Sequence, residues 1–281
     1  MEIIDKNNEN KYTKEKLVII TGITGAIGNA FLAKYSREEN TAICGISRKA
    51  EDVSSFINPE NNKFFPATFI ANLGDLTEQN IKSFAEKINY NEFESATYVH
   101  GLGLYPFEIN KIGSHVVEND KDGDGINDTV LELSHRVFKF FVENLSKNSI
   151  NSGAKFASVI FGGIADVHKP LAHQSWWRVM GMTKDYMKKQ KDNIGMNLIN
   201  ISSVVCSHEI ITRPHVFTQT DADLKYWLLP HEIPDRFFAE NENMFSGYHE
   251  YEFFHIRPNF DPNYYENFKF TPRKVKEIFH K

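Results

Sequence analysis

The sequence predicts a three-layer α/β fold with a doubly wound parallel sheet, and three observations support this. Apolar runs alternate with amphipathic stretches along the chain at the spacing of strand–helix–strand units. Strand candidates such as 155–161 are apolar along their whole length, which is typical of strands covered on both faces. A chain of 281 residues with 41% hydrophobic residues is large enough for one domain with a sizeable core.

The elements follow from this alternation in chain order. Short apolar runs between turn residues predict strands, and longer amphipathic stretches predict the helices that connect them. The predicted strands cover 17–21, 41–46, 65–71, 96–101, 155–161 and 197–203, and the predicted helices cover 25–37, 77–88, 128–147 and 175–191. After about residue 206 the alternation fades, so the remaining elements are not assigned.

Charge and cysteine content exclude several classes of protein. The net charge of −5 lacks the basic footprint of a nucleic-acid or membrane-surface protein. The two cysteines, Cys44 and Cys206, lie far apart and are interpreted as reduced thiols, which fits a cytoplasmic location. No run of 18 apolar residues and no apolar signal core occurs, so we expect no membrane partner.

The most informative stretch is 17–28, which reads LVIITGITGAIG: an apolar strand, a glycine turn and the start of a helix. Glycines in such a turn allow tight bending, remove a side chain where a pyrophosphate approaches, and let the helix lie close to the strand. The alternative is a tight turn with no ligand, but three spaced glycines fit a plain turn poorly. The residues predicted to contact the cofactor here are Gly22, Thr24, Gly25, Ile27 and Gly28.

These residues resemble the short-chain dehydrogenase/reductase family over roughly 15–240. The stretch Thr21–Gly28 matches the TGxxGxxG fingerprint of the extended and atypical branches. The resemblance implies a Rossmann-type domain that binds a nicotinamide cofactor. It also implies that Asp75, which precedes Leu76, hydrogen-bonds the adenine, and that Gly101 lets the backbone pass beneath the nicotinamide ribose.

The end of the second predicted strand favours NADP(H). An acidic residue there would bind the adenosine 2′-hydroxyl of NAD, but Ser47 and Arg48 occupy the place. A guanidinium can bind a 2′-phosphate through two N–H groups, and a serine leaves room for that phosphate. The alternative interpretation is a surface Arg-Lys pair.

The catalytic segment departs from the family pattern. Members of the family usually carry Tyr-xxx-Lys on the helix after the fifth strand and a serine at the end of that strand. Lys184 aligns with the family lysine, which holds the nicotinamide ribose, but the tyrosine position is then Met180. The strand ends in Phe161-Gly-Gly163, so the serine is also missing. An ordinary exposed helix lysine is the alternative interpretation of Lys184.

Three functions therefore stay open. In the first, the protein transfers hydride and takes its proton from another group: His168 and His173 are the predicted donors, and Ser175 and Tyr105 are further candidates. The Trp176–Trp177 pair and Met180 would then suit an apolar substrate. In the second, the protein binds NADP(H) as a sensor without turnover. In the third, the fold hosts a non-redox reaction.

An acidic loop, Asp120–Asp128, reads DKDGDGIND. Alternating carboxylates around a glycine can wrap oxygen ligands around Ca²⁺, but the acidic residue that an EF-hand needs six positions after the glycine is missing. A solvated turn that caps the next helix is the favoured interpretation. We therefore predict no metal site.

The predicted organisation is a flexible tail over 1–14, a nucleotide-binding domain over 15–240, and an aromatic-rich extension over 241–281 that covers the substrate pocket on the same domain. The partner is a small-molecule substrate. The resemblance also implies a homodimer or homotetramer that associates through the helices at about 128–145 and 175–191.

Overall fold

The structure, a computed structural model, describes residues 15–46, 62–66, 76–102, 128–163, 174–201, 204 and 228–253. Of 62–66 and 128–130, the backbone alone is described. Several predicted site residues lie outside these ranges: Ser47, Arg48, Asp75, Tyr105, His168, His173 and the loop 120–127.

A seven-stranded, all-parallel sheet forms the middle layer, in the order β3–β2–β1–β4–β5–β6–β7. Its strands are β1 (Glu15–Thr21), β2 (Thr41–Ile46), β3 (Asn62–Pro66), β4 (Phe93–His100), β5 (Lys155–Gly163), β6 (Ile194–Ile201) and β7 (Tyr248–Phe253). The predicted doubly wound parallel sheet is confirmed.

Helices cover both faces of the sheet. They are α1 (Ala26–Tyr35), α2 (Glu78–Glu86), α3 (Asp128–Asn151), α4 (Gln174–Lys188) and α5 (Glu232–Glu240), and a 3₁₀ turn, Tyr90–Glu92, precedes β4. Side chains of α2, α3 and α4 pack into one core, and those of α1 and α5 pack into the other. The result is the predicted three-layer arrangement.

Strand β1 explains why its sequence is apolar without alternation. Leu17 and Ile19 point into the core beneath α2, α3 and α4, whereas Val18 and Ile20 point into the core beneath α1 and α5. Each side chain of the run is at most 3% exposed. A strand between two helical layers buries both of its faces, so every position favours an apolar residue.

Strand β7, helix α5 and the 3₁₀ turn were not predicted from the sequence, and β3, β4 and β6 each begin three residues earlier than predicted. Strand β7 and helix α5 fall where the alternation had faded. Strand β3 is described over Asn62–Pro66, earlier than the predicted 65–71. Among the described strands, β3 and β7 stand at the two edges of the sheet and each pairs with one neighbour, so their sequences carry less of the continuous apolar signal.

The strand order places a crevice where the connections change direction. Strands β2 and β4 lie on either side of β1. From β1 to β3 the strands are therefore added toward one edge of the sheet, and from β4 to β7 they are added toward the other edge. In open α/β sheets, ligands bind at this point, outside the carboxyl ends of the strands. Across the described residues, we find no helix that could cross a membrane.

Candidate functional site

The glycine turn follows β1 at the carboxyl edge of the sheet. Gly22 has φ +66°, a backbone conformation that glycine adopts without strain. Its N–H donates to the Ile46 carbonyl of β2 at 2.9 Å, and its own carbonyl accepts from Gly25 N–H at 2.8 Å. The turn is therefore held by its own backbone and by the end of the neighbouring strand.

Three glycines from three parts of the chain meet in this turn. A Cβ on Gly22 would collide with the Gly101 carbonyl, which follows β4. A Cβ on Gly28, in the first turn of α1, would collide with the Gly22 carbonyl. A Cβ on Gly101 would lie 2.6 Å from the Thr21 carbonyl. The obstacles are all backbone atoms, so the close approach of β1, α1 and β4 requires glycine at each position.

Helix α1 begins without a side-chain cap. Gly25 is the N-cap residue, with extended backbone angles, and the first turn contains no acidic residue. The first helical hydrogen bond runs from Asn29 N–H to the Gly25 carbonyl at 2.8 Å, so the amides of the three residues between have no carbonyl partner in the helix. Thr24 and Gly25 are exposed at the turn. Free amides at a helix N-terminus attract anionic groups such as a pyrophosphate.

Two further predicted cofactor residues, Ile27 and Leu76, are described, and they lie on opposite faces of the sheet. Ile27 is partly exposed and packs against the core beneath α1. Leu76 is 3% exposed and belongs to the opposite core. It precedes Thr77, whose hydroxyl accepts from Asn80 N–H at 3.3 Å and caps α2. Thr77 is thus the N-cap residue of α2.

A buried polar network lies beneath the turn, on the face covered by α3 and α4. The Tyr98 hydroxyl shares a hydrogen bond with His100 Nδ1 at 2.7 Å, and His100 Nε2 shares one with Ser134 Oγ at 3.3 Å. The Thr21 hydroxyl lies 3.3 Å from the Tyr98 hydroxyl. The sequence analysis did not find this network, because its members come from β1, β4 and α3.

His100 is kept neutral by its surroundings. The side chain is 4% exposed, and burial, with a smaller contribution from the nearby His135, lowers its pKa to about 3. A neutral imidazole carries one donor and one acceptor nitrogen. It can therefore satisfy Tyr98 on one side and Ser134 on the other.

A second histidine links α3 to α4. His135 Nδ1 shares a hydrogen bond with the Thr183 hydroxyl at 2.8 Å, and this hydroxyl also donates to the Val179 carbonyl at 3.1 Å. Burial, and then the positive charge of Lys139, lowers the pKa of His135. Both histidines thus favour the uncharged form.

Lys184 forms an ion pair with the last strand of the sheet. Its ammonium donates to Glu250 Oε1 of β7 at 2.6 Å. The same carboxylate accepts from the Asn200 amide at 2.8 Å and from the Tyr248 hydroxyl at 2.7 Å. Burial alone would raise the pKa of Glu250, but the hydrogen bonds outweigh burial and leave it below its usual value.

Met180 and Lys184, the residues aligned with the family's tyrosine and lysine, line one cavity along α4. Its volume is about 350 Å³, and Trp177, Arg178 and Met182 also line it. Met180 is 9% exposed and belongs to the core. Trp176 packs against Leu131 and Val179 instead, so one tryptophan lies in the interior and its neighbour lines the cavity.

The end of β5 carries no hydroxyl group. The strand runs to Gly163, and its last three residues are Phe161, Gly162 and Gly163. Ser175 is fully buried in the first turn of α4. Within the described ranges, no group of three metal-ligating side chains comes together.

Comparison with solved structures identifies the fold. The L-sorbose reductase of Gluconobacter frateurii, in complex with NADPH and L-sorbose, matches with a TM-score of 0.65 and 16% identity over 88% of this chain and 98% of that chain. A short-chain dehydrogenase/reductase family protein matches with a TM-score of 0.61 and 14% identity, over 85% and 97% of the two chains. A 4-hydroxyisoleucine dehydrogenase in complex with NADH matches with a TM-score of 0.54 and 15% identity, over 85% and 96%.

These structures share the fold of the short-chain dehydrogenases/reductases, and this chain has it too. The resemblance predicted from the sequence is confirmed at the level of the fold. No protein-family profile matches the chain, and no curated protein matches it significantly.

Proposed function

We propose that the protein is an NADP(H)-dependent oxidoreductase of the short-chain dehydrogenase/reductase type. It would act on a carbonyl, alcohol or enoyl group of a small apolar substrate and use a non-standard proton donor. The observation that carries the proposal is the meeting of Gly22, Gly28 and Gly101 beside the uncapped N-terminus of α1. This arrangement provides free amides and backbone space where a pyrophosphate needs both.

Two similar structures contain nicotinamide cofactors: the L-sorbose reductase has NADPH and the 4-hydroxyisoleucine dehydrogenase has NADH. The preference for NADP(H) in this chain depends on Ser47 and Arg48. They directly follow Ile46, whose carbonyl accepts from the N–H of Gly22 in the phosphate turn. A guanidinium at this strand end would bind the 2′-phosphate that distinguishes the two cofactors.

The cavity along α4 supports an apolar substrate. Trp177, Met180 and Met182 give it an apolar wall, and the charged residues in its lining are Arg178, Lys184 and Asp185. An ammonium has three N–H donors, so its contact with Glu250 leaves others for the hydroxyl groups of a nicotinamide ribose. We assign this ribose contact to Lys184.

The proton would come from the loop before α4. Met180 has no proton to donate, and β5 ends without a serine. We therefore propose His168 or His173 as the general acid, since an imidazole titrates near neutral pH. Of the described histidines, His100 and His135 are less suited, because both have lowered pKa values and are engaged in hydrogen bonds.

A sensor that binds NADP(H) without turnover is the second candidate. The thioether at Met180 and the glycine end of β5 favour it, because both remove a group that the family uses for proton transfer. A non-redox reaction on the same scaffold would share these features.

Cofactor titration and a turnover assay separate these functions. We expect NADPH to bind more tightly than NADH, measured by the fluorescence of the reduced nicotinamide, and equal affinities would contradict the assignment to Arg48.

NADPH consumption with one member of a panel of aldehydes, ketones and enoyl thioesters supports the reductase. His168→Gln or His173→Gln should then lower kcat about 100-fold or more, whereas His231→Gln, at an exposed histidine, should not.

We also propose a homodimer or homotetramer that uses α3 and α4. Met182 of α4 is 46% exposed, which is high for a large apolar side chain. Light scattering of the purified chain measures the assembly directly, and a monomer at micromolar concentration would contradict the proposal.

A further inference from the structure

The carboxylate of Glu250 in β7 accepts more hydrogen bonds than a simple ion pair needs. Its Oε1 accepts from Lys184 Nζ of α4 at 2.6 Å and from the Asn200 amide of β6 at 2.8 Å. Its Oε2 accepts from the Tyr248 hydroxyl at 2.7 Å. These hydrogen bonds outweigh burial and keep the pKa of Glu250 below its usual value, so the carboxylate is charged at neutral pH. Donors from α4, β6 and β7 thus fix one ionised group.

Asn200 anchors this carboxylate to the sheet. Its side chain is fully buried, and it is the second-last residue of β6, in register with Gly162 of β5. A buried side chain in a packed core has little freedom to move. The anchor therefore lies toward the carboxyl edge of the sheet, which is also the edge that carries the glycine turn.

Lys184 benefits from such an anchor because its side chain is long and flexible. A mobile lysine loses rotamer entropy when a ligand orders it, and this loss weakens binding. The bond to Glu250 orders the ammonium in advance, while the side chain stays 18% exposed and lines the cavity along α4. An ammonium has three N–H donors, so the bond to Glu250 leaves others for a ligand.

We propose that Glu250 is a positioning residue for the cofactor site. It holds the Lys184 ammonium at the wall of the α4 cavity before the cofactor binds, and the remaining N–H groups then contact the nicotinamide ribose. The inference rests on the ribose contact that the proposed function assigns to Lys184. It gives the edge strand β7 a part in cofactor binding that is exerted through this lysine.

Titration of NADPH into Glu250→Gln tests the proposal. Glutamine keeps the shape of the side chain, but a neutral amide holds an ammonium less firmly than a carboxylate does. We expect Glu250→Gln to bind NADPH about three- to tenfold more weakly than the wild type. Loss of a negative charge by itself favours an anionic ligand, so weaker binding cannot come from the change in net charge. The control Glu252→Gln, at an exposed position of the same strand, removes the same charge and should not weaken binding.

A double-mutant cycle separates positioning from a purely structural role. If Glu250 acts through Lys184, the effect of Glu250→Gln on NADPH affinity disappears in a Lys184→Met background. An effect of equal size in that background would mean that Glu250 supports the fold rather than the lysine, and would overturn the proposal. Urea unfolding of each variant shows whether it is folded.

Tyr248→Phe is a milder second variant. It removes the donor to Oε2 and keeps the ring beneath Lys188. We expect it to weaken NADPH binding about twofold, and only while Lys184 is present.

The possible failures are distinguishable. No binding of NADPH to the wild type would overturn the proposed function and this inference with it. If the wild type binds NADPH, unchanged affinity in Lys184→Met or in Glu250→Gln would overturn this inference alone. Tighter binding to Glu250→Gln would also overturn it, because Glu250 would then compete with the cofactor for the ammonium.

Discussion

Gly28 illustrates how a single hydrogen atom decides the local structure. In an ordinary helix, alanine is more stable than glycine by about 1 kcal/mol. At Gly28 the added methyl group would meet the backbone of Gly22, which cannot move without displacing β1. The steric overlap with Gly22 therefore costs more free energy than alanine gains from its higher helix propensity.

Two glycine-to-alanine substitutions test this account, because we expect them to change the free energy of unfolding in opposite directions. We expect Gly28→Ala to lower the free energy of unfolding by about 1–3 kcal/mol, the range for overpacking a close contact. Gly181→Ala, in α4, meets nothing within 4 Å and should raise it by about 0.5–1 kcal/mol. Urea unfolding measures both. A Gly28→Ala variant as stable as the wild type would contradict the close approach of α1 to the turn.

The sequence was sufficient to predict the glycine turn between β1 and α1, because its glycines lie close together along the chain. It was not sufficient to predict the bond from His100 to Ser134. Ser134 lies 34 residues along the chain from His100, and only the packing of α3 on β4 brings them together. The roles proposed for Arg48, His168 and His173 stay predictions.

At the scale of elements, the contact between α4 and β7 depends on a charged pair. The Lys184 side chain is 18% exposed and that of Glu250 is 29% exposed. The pair is thus partly shielded from water, and Asn200 of β6 and Tyr248 of β7 also donate to the carboxylate. It connects the helix with the last two strands of the sheet.

Removal of the lysine tests this link. Lys184→Met should lower the free energy of unfolding by about 1–2 kcal/mol, because the half-buried carboxylate loses its cation. Lys188→Met is the matched control: this exposed lysine stacks over the Tyr248 ring at 5.2 Å, and its loss should lower the free energy of unfolding by only about 0.5 kcal/mol. NADPH affinity in the two variants checks the ribose contact. Unchanged affinity in Lys184→Met would contradict that contact.

The central strands were predictable because both of their faces are buried, which favours largely apolar sequences, as in the unbroken run Leu17–Ile20 of β1. The edge strand β7 reads YHEYEF, with charged residues between aromatic ones, and its burial is correspondingly incomplete. In the described part of the chain, β7 pairs with β6 alone, so its other side does not require apolar residues. The pairing of β7 with β6 could therefore be recognised only in the tertiary structure.

At the scale of the whole molecule, buried histidines make stability depend on pH. His100 has a pKa of about 3 in the folded chain, against the ordinary value of 6.5 for a histidine in an unfolded chain. Between these values the unfolded chain binds a proton that the folded chain does not. The free energy of unfolding therefore falls as the pH drops below 6.5, by up to about 1.4 kcal/mol per pH unit from this group.

His100→Gln should reduce this slope between pH 6.5 and about pH 5, a window above the ordinary range of carboxyl titration. The slope is the informative quantity, because a variant that is simply less stable keeps it. His231→Gln, at an exposed position, should leave the slope unchanged. Urea unfolding across this pH range measures it, and an unaltered slope in His100→Gln would contradict the buried neutral imidazole.

The central claim is that a dinucleotide phosphate binds at the turn between β1 and α1, and a charge placed in that turn tests it most directly. Thr24 is exposed there. A carboxylate near a helix N-terminus stabilises the helix but repels a pyrophosphate. The experiment is a titration of NADPH into the wild type, Thr24→Glu and Thr24→Gln, in which glutamate and glutamine have nearly the same shape. We expect Thr24→Glu alone to bind NADPH about tenfold or more weakly than the wild type. Equal affinity in the glutamate and glutamine variants, or no binding to the wild type, would contradict the account.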